Sequence, residues 1–448
     1  MDKRKLTRIA AAVAAAGVLL LGAMYIAGSS SGSVPPASVD LSQLSPEHKQ
    51  QLSERGLQVF RAADCAACHS SPTTGAELAG GMAMVTPMGT LYGTNISPSK
   101  EHGIGNWSAD DLYRAVARGM APGRKNLYPA MPYASYHDIT RADVDALWVW
   151  LQQQPAVEVP NRAAEMHFPF SIRPAVALWN ALERPASQSA PKAAPAAAND
   201  ADLLIERGRY LVNTLGHCGE CHTPRTASFA MDLKQSLGGN VIEGAYAPDL
   251  RPEAMAQRGW NEGDLLQFMR TGLSPQGVMT MGMFPVLEHS SSQMDEAELK
   301  AMAAYLMRGD KAGTAAAVPA VAAKLEPLQD AAPQTQVSAN GQRVYLGLCA
   351  GCHGVDGQGQ PHSSLRLDSN TTAMFPTPLN LVRVIREGLT ERDLAHGERM
   401  QAMPGFAQQL SDQDMADLVN YMRVRWGRQK GDVTPAQVAD LIKTAESH

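Results

Sequence analysis

DCAACHS, residues 64–70, sets two cysteines three apart with a histidine directly after the second. The pattern returns as HCGECHT at 217–223 and LCAGCHG at 348–354, and the copies together use all 6 cysteines of the chain. On a helix, positions i and i+3 face the same way, so two such thiols hold one flat object from one side. The adjacent histidine then presents an imidazole to the centre of that object. Cys-x-x-Cys-His is the attachment pattern of covalent c-type haem, with thioether bonds to the porphyrin and histidine as proximal iron ligand. The expected ligand sets are Cys65, Cys68 and His69; Cys218, Cys221 and His222; Cys349, Cys352 and His353, giving three covalently bound haem c groups.

Two other readings fit less of the pattern. Three disulfides would suit an exported protein but leave the repeated histidine unexplained. Tetrahedral zinc needs four ligands, and no second cysteine or histidine pair lies at usable spacing.

Working outward, each cluster sits near the start of a similar segment. The segments run about 45–183, 200–310 and 337–432, and are separated by the Ala/Pro-rich stretches 184–200 and 311–334, which read as linkers. A short helical pattern opens each segment, with a glycine before an aromatic: Gly56/Phe60, Gly208/Tyr210 and Gly341/Tyr345. An amphipathic helix closes each, at 140–151, 292–307 and 411–426. Ser or Thr three residues before Asp marks each start, at Thr140/Asp143, Ser292/Asp295 and Ser411/Asp414. Strand alternation is nearly absent between them. The expected fold is mostly α: three tandem cytochrome c domains joined by Ala/Pro-rich linkers.

A low-spin electron carrier needs a sixth iron ligand, and the soft thioether of methionine raises the reduction potential. Met131, in LYPAMPYASY, and Met403, in RMQAMPGF, are each followed by a proline that stiffens the backbone holding the sulfur. In the middle segment Met279, Met281 and Met283 compete. Met283 lies 61 residues after His222, against 62 between His69 and Met131, and is the choice on spacing. Met400 is the rival to Met403, and His137, His289 and His396 are the histidines nearest to offering a second imidazole. With 22 methionines in the chain, most are packing residues.

The amino terminus carries Lys3, Arg4, Lys5 and Arg8 ahead of an uncharged run from Ile9 to Ala27. Residues 1–30 therefore read as a signal peptide or an N-terminal membrane anchor, with the rest of the chain translocated to the periplasmic face. Net charge is −5 over 448 residues, with no basic stripe to meet phosphates, so nucleic acid is not an expected partner.

No nucleophile elbow, phosphate loop, dinucleotide fingerprint or zincin motif is present. A haem peroxidase or reductase would need one open iron position, and the middle segment offers an excess of methionines instead. A sensor would need a signalling domain. The favoured reading is an electron conduit with no catalytic residues of its own.

The stretches GGMAMVTPMGTLYGTNISPSKEHGIGNWSADDLYRAVARGM (80–120), LYPAMPYASY (127–136) and FPFSIRPAVALWNAL (168–182) resemble the three-haem cytochrome c subunits of bacterial membrane-bound dehydrogenases for gluconate, alcohols, sorbitol or fructose. RGRYLVNTLGHCGECHTPR and GGNVIEGAYAPDL in the middle segment are similarly close. The resemblance implies that a flavin- or quinone-containing (PQQ) subunit reduces the haems, which pass electrons to ubiquinone in the membrane. It also supports Met131, Met283 and Met403 as axial ligands. FPFSIRP…WNAL looks most like the cytochrome subunit of gluconate 2-dehydrogenase. The alternative partner is a molybdenum hydroxylase acting on aldehydes or N-heterocycles.

Overall fold

Gly56, Gly208 and Gly341 each lie where one helix crosses another so closely that no side chain fits between them. A β-carbon there would stand 2.2 Å from the Ala146 carbonyl oxygen, 2.0 Å from that of Ala301 and 2.1 Å from that of Asp417, respectively. Each opening helix is therefore locked onto the closing helix of its own segment. The computed structural model describes residues 3–30, 32–185, 199–310, 338–360 and 363–446. Of the two expected linkers, 311–334 lies wholly and 184–200 mostly outside them. The described chain is mostly helical with short antiparallel strand pairs, as expected. It forms two compact units.

The first unit is Met1–Ala193 with Asn213–His217 and Ala227–Ala230. It contains α1 (Lys3–Gly28), α2 (Pro46–Ala62), α3 (Cys65–His69), α4 (Ala109–Arg118), α5 (Arg141–Leu151) and α6 (Ala175–Glu183). Strands β1 (Ala83–Thr86), β2 (Gly89–Tyr92) and β5 (Glu165–Met166) make one antiparallel sheet, and β3 (Met120–Ala121) pairs with β4 (Lys125–Asn126). α2 and α5 cross at Gly56, with the rings of Phe60 and Trp150 at 4.5 Å. Thr7–Gly28 of α1 is long and apolar enough to cross a membrane. Its last turn is docked: Gly28 abuts the carbonyl of Ala177 on α6, and Arg184 donates to the carbonyls of Ala27 (3.4 Å) and Ser30 (2.5 Å).

The second unit is Ala194–Val212, Cys218–Thr226 and Met231–His448, and so holds both later clusters. Its helices are α7 (Asp200–Tyr210), α8 (Gly219–His222), α9 (Pro252–Gln257), α10 (Glu262–Thr271), α11 (Met283–His289) and α12 (Glu296–Arg308), then α13 (Ala339–Leu348), α14 (Ala350–His353), α15 (Leu379–Glu387), α16 (Asp412–Arg425) and α17 (Pro435–Glu446). Two-stranded pieces pair β6 (Asn240–Ile242) with β7 (Ala245–Ala247), β8 (Leu273–Ser274) with β9 (Gly277–Val278), and β10 (Arg392–Asp393) with β11 (Arg399–Met400). Tyr345, Val382, Leu418, Val419 and Val438 pack α13, α15, α16 and α17 into one apolar core. Within this unit Asn380 on α15 both accepts from the amide of Tyr246 (2.7 Å) and donates to its carbonyl (2.9 Å). Arg383 donates to the carbonyls of Glu243 and Gly244, each at 3.1 Å, and the Tyr246 and Phe375 rings meet edge to face at 5.5 Å.

The residue before each crossing glycine ties the pair together a second time. Arg55 reaches Asp143 at 2.8 Å, Arg207 reaches Glu298 at 2.8 Å, and Asn340 reaches Asp414 at 3.0 Å. These acids share one register, three residues before the carbonyl that the glycine touches. That register corrects the expected start of α12. Thr140 and Ser411 are N-caps as the spacing suggested, but the middle helix begins one turn later, with Asp295 as N-cap and Glu298 three residues on. Ser292 instead closes a tight turn by donating to the Leu287 carbonyl at 2.6 Å.

A β-carbon at Gly341 forces the helices apart, so Gly341→Ala lowers stability by about 1–3 kcal/mol. Gly347, on the open side of the same helix with nothing within 4 Å, gives the opposite sign. Gly347→Ala raises stability by about 0.5–1 kcal/mol through helix propensity. Denaturant unfolding of the two variants beside the parent chain measures both.

Candidate functional site

Each Cys-x-x-Cys-His lies on or at the start of a helix of only one turn, α3, α8 or α14, placed directly after the opening helix. None of the six cysteines is in a disulfide. Among the described residues, the one group of side chains that converges like metal ligands is Glu101, His102 and Glu158, which includes no cluster residue.

The three histidines are held alike. Nδ1 of His69 lies 2.6 Å from the Thr94 carbonyl, that of His222 lies 2.6 Å from the Pro248 carbonyl, and that of His353 lies 2.9 Å from the Leu365 carbonyl. A carbonyl can only accept, so Nδ1 carries the hydrogen and Nε2 keeps its lone pair. That fixes the tautomer suited to binding a metal through Nε2. The main chain of each histidine is clamped as well. Its carbonyl accepts from the amide of Gly80 (2.7 Å), Gly239 (2.8 Å) or Gly359 (2.8 Å). All three glycines have positive φ, which costs a residue without a β-carbon nothing.

Burial governs the protonation of these groups. It pushes the Cys65 thiol up, that of Cys218 up to about 12 and that of Cys349 up to about 11. Desolvation holds His69 below the usual imidazole range and takes His222 down to about 4. Those two rings are therefore neutral at physiological pH, as a nitrogen ligand must be. Asp64, left-handed at φ 50 just ahead of Cys65, is raised to about 8 by desolvation, and its Oδ1 has no hydrogen-bond partner.

Register sets Met279 apart from its two competitors, Met281 and Met283, which are both half-buried. α4 closes at Gly119 and α10 at Gly272, both left-handed. The Leu127 amide donates to the Gly119 carbonyl at 2.7 Å, and the Met279 amide donates to the Gly272 carbonyl at 2.8 Å. Met279 thus occupies the position of Leu127 and is 1% exposed. Four residues further along each chain stand Met131 and Met283, both half-buried. In the third segment the main chains of Met403 and Leu389 exchange two hydrogen bonds, at 2.8 and 2.9 Å, directly after the helix-closing Gly388. Met403 is half-buried, whereas its rival Met400 is buried in β11. The other candidate imidazoles are engaged elsewhere. His137 Nε2 lies 3.2 Å from the Asp138 carboxylate and His396 Nε2 meets the Ser292 carbonyl at 3.3 Å.

The carbonyl acceptors Thr94, Pro248 and Leu365 and the clamping glycines are not foreseen from sequence. The acceptors have no residue type to betray them. The glycines leave only the trace of a glycine-rich patch after each cluster, at varying distance. Arg258 is a further addition. Its guanidinium is buried near enough to lower the His222 pKa, donates to the Asp249 carbonyl, lies 3.2 Å from the Met255 sulfur, and leaves Nε without a partner.

The cytochrome c family matches residues 53–155 and 338–426 of the chain. The chain is 39% identical over 393 residues to a nicotinate dehydrogenase component of Pseudomonas putida, covering 84% of itself but 30% of that protein's length. It is 35% identical over 414 residues to the gluconate 2-dehydrogenase cytochrome c subunit of Pantoea cypripedii, covering 89% of itself and 91% of the relative. It is 33% identical to the cytochrome c subunit of a quinone alcohol dehydrogenase of Gluconobacter oxydans, covering 88% of itself and 83% of the relative.

Core and half-buried methionines respond differently to truncation. Met279→Ala empties a core position and lowers stability by about 2–5 kcal/mol. Met283→Ala, at a half-buried site, moves the unfolding midpoint much less. Equal losses in the two variants would undo the assignment of Met279 to packing.

Proposed function

The chain belongs to the family of dehydrogenase cytochrome c subunits, and from that premise we propose that it holds three covalent haem c groups and relays electrons from a separate dehydrogenase subunit to ubiquinone in the membrane. Cys65 and Cys68, Cys218 and Cys221, and Cys349 and Cys352 form the thioethers. His69, His222 and His353 bind iron through Nε2, and Met131, Met283 and Met403 supply the sixth ligand. The observation that carries this reading is the threefold clamp on the histidines, the same tautomer and main-chain clasp present in all three segments.

The residues present fit the porphyrin. Two thiols one turn apart and an imidazole whose Nδ1 bond leaves Nε2 for a metal suit the group, and the guanidinium of Arg258 is a ready partner for a porphyrin carboxylate. When bound, the haem supplies one-electron chemistry. In each segment the histidine and methionine would hold the group between them, and desolvation keeps the imidazoles of His69 and His222 unprotonated. Oxidation of the organic substrate then belongs to the partner subunit, which contains flavin or PQQ and acts on gluconate, a polyol or an alcohol.

A second partner is favoured by one comparison. The 39% identity to the nicotinate dehydrogenase component supports an electron-accepting role beside a molybdenum hydroxylase that oxidises an N-heterocycle. Isolating the complex from membranes and identifying the cofactor of the copurifying subunit decides between them: flavin or PQQ for the first reading, molybdopterin for the second.

Met131→Ala, Met283→Ala and Met403→Ala should each convert one haem to a high-spin or re-ligated form, read by absorption and electron paramagnetic resonance. Three unaltered spectra would refute the ligand assignment. Replacing Cys349 and Cys352 together should lower the mass of the purified chain by one haem.

A further inference from the structure

The loop between β5 and α6 exposes a run of apolar side chains that the electron-transfer reading does not use. Phe168 is 81% exposed, Phe170 45% and Ile172 47%, all within five residues, and Leu182 near the end of α6 is also exposed. This loop is firmly held. The Tyr128 hydroxyl donates to the Phe170 carbonyl at 3.2 Å, Arg173 donates to the Asn126 carbonyl at 2.8 Å, and the Arg173 guanidinium lies 4.9 Å from the centre of the Tyr128 ring.

The same few residues bind the end of α1. Asn126 donates to the Ser29 hydroxyl at 3.5 Å and accepts from Asn180 on α6 at 3.2 Å, and Gly28 abuts Ala177 on the same helix. An apolar helix whose last turn is pinned in this way fixes where a bilayer must begin. With α1 spanning the membrane, the lipid–water boundary falls at Gly28 and Ser29, and therefore beside α6 and the loop that leads into it. Arg124 and Lys125, exposed at the β3–β4 turn next to Asn126, add positive charge at that boundary. Aromatic rings flanked by basic residues are the side chains that settle at a headgroup layer.

We propose that Phe168, Phe170 and Ile172 insert into the lipid–water interface of the membrane that α1 enters. The proposal rests on the reading of α1 as a retained anchor. It has a consequence for electron flow. Tyr128 and Tyr133 bracket Met131, and Tyr133 donates to Asn180 on α6 at 2.7 Å. The methionine loop of the first segment is thereby held against the lipid-facing side, where a group bound by Met131 would face a lipid-soluble acceptor.

The test uses the full chain with its haems, reconstituted in vesicles of phosphatidylethanolamine and phosphatidylglycerol, and a diazirine carbene precursor dissolved in the lipid. After irradiation, adducts are mapped by peptide mass spectrometry. Expected are adducts on α1 and on 168–172, the latter several-fold above Val355, an apolar residue of the second unit that is 58% exposed. Phe168→Asp with Phe170→Asp should abolish labelling of the loop and leave that of α1. Adducts on α1 with the loop no more labelled than Val355 would overturn the proposal while the anchor stands. A mature chain that begins after α1 would remove the anchor and the proposal together.

Discussion

A hydrogen bond from Nδ1–H of each cluster histidine to a main-chain carbonyl orients the whole of each site. It selects the tautomer, sets the plane of the ring and leaves one nitrogen for a metal. A backbone acceptor can do this only if the loop that carries it is itself immobile. The helix crossings at Gly56, Gly208 and Gly341 supply part of that rigidity, because the one-turn helix with the cysteines directly follows the opening helix in each segment. Removing the β-carbon at one position lets two backbones touch, and the side-chain tie one residue earlier keeps them from sliding. The cluster chemistry and the helix packing are thus one constraint expressed at two scales.

Much of this was legible in the chain. The ligand pattern, the opening glycines and two of the three helix caps are carried by residue identity at fixed spacing, the kind of signal that sequence preserves. What was hidden has a common cause. The histidine acceptors lie 25, 26 and 12 residues away, and any residue can offer a carbonyl, so neither spacing nor type marks Thr94, Pro248 or Leu365. The expected cap of α12 falls one turn early because serine three residues before aspartate is a common pair, and here the aspartate itself occupies the N-cap position, without a side-chain hydrogen bond. Burial is equally hidden from spacing: Met279, in the hairpin that follows α10, is a core side chain, whereas Met283 is half-buried.

The middle segment departs most from its neighbours. A π-helical turn at Leu211–Leu215 precedes its cysteines, aspartate replaces Ser or Thr at its closing cap, and three methionines crowd its ligand loop. It is also the segment outside the two family-matched regions. The histidine clamp survives there together with the helix crossing at Gly208, the two features that the middle segment shares with its neighbours.

The contacts of Asn380 and Arg383 with the main chain around Tyr246 bear on timing. The segments they join share one compact unit, so carriers held in both, as proposed, would need no diffusional search to find each other. Transfer between them would be set by tunnelling through a fixed gap and by the difference in potential. Its rate would then be insensitive to solvent viscosity, unlike any step that waits for separate bodies to collide.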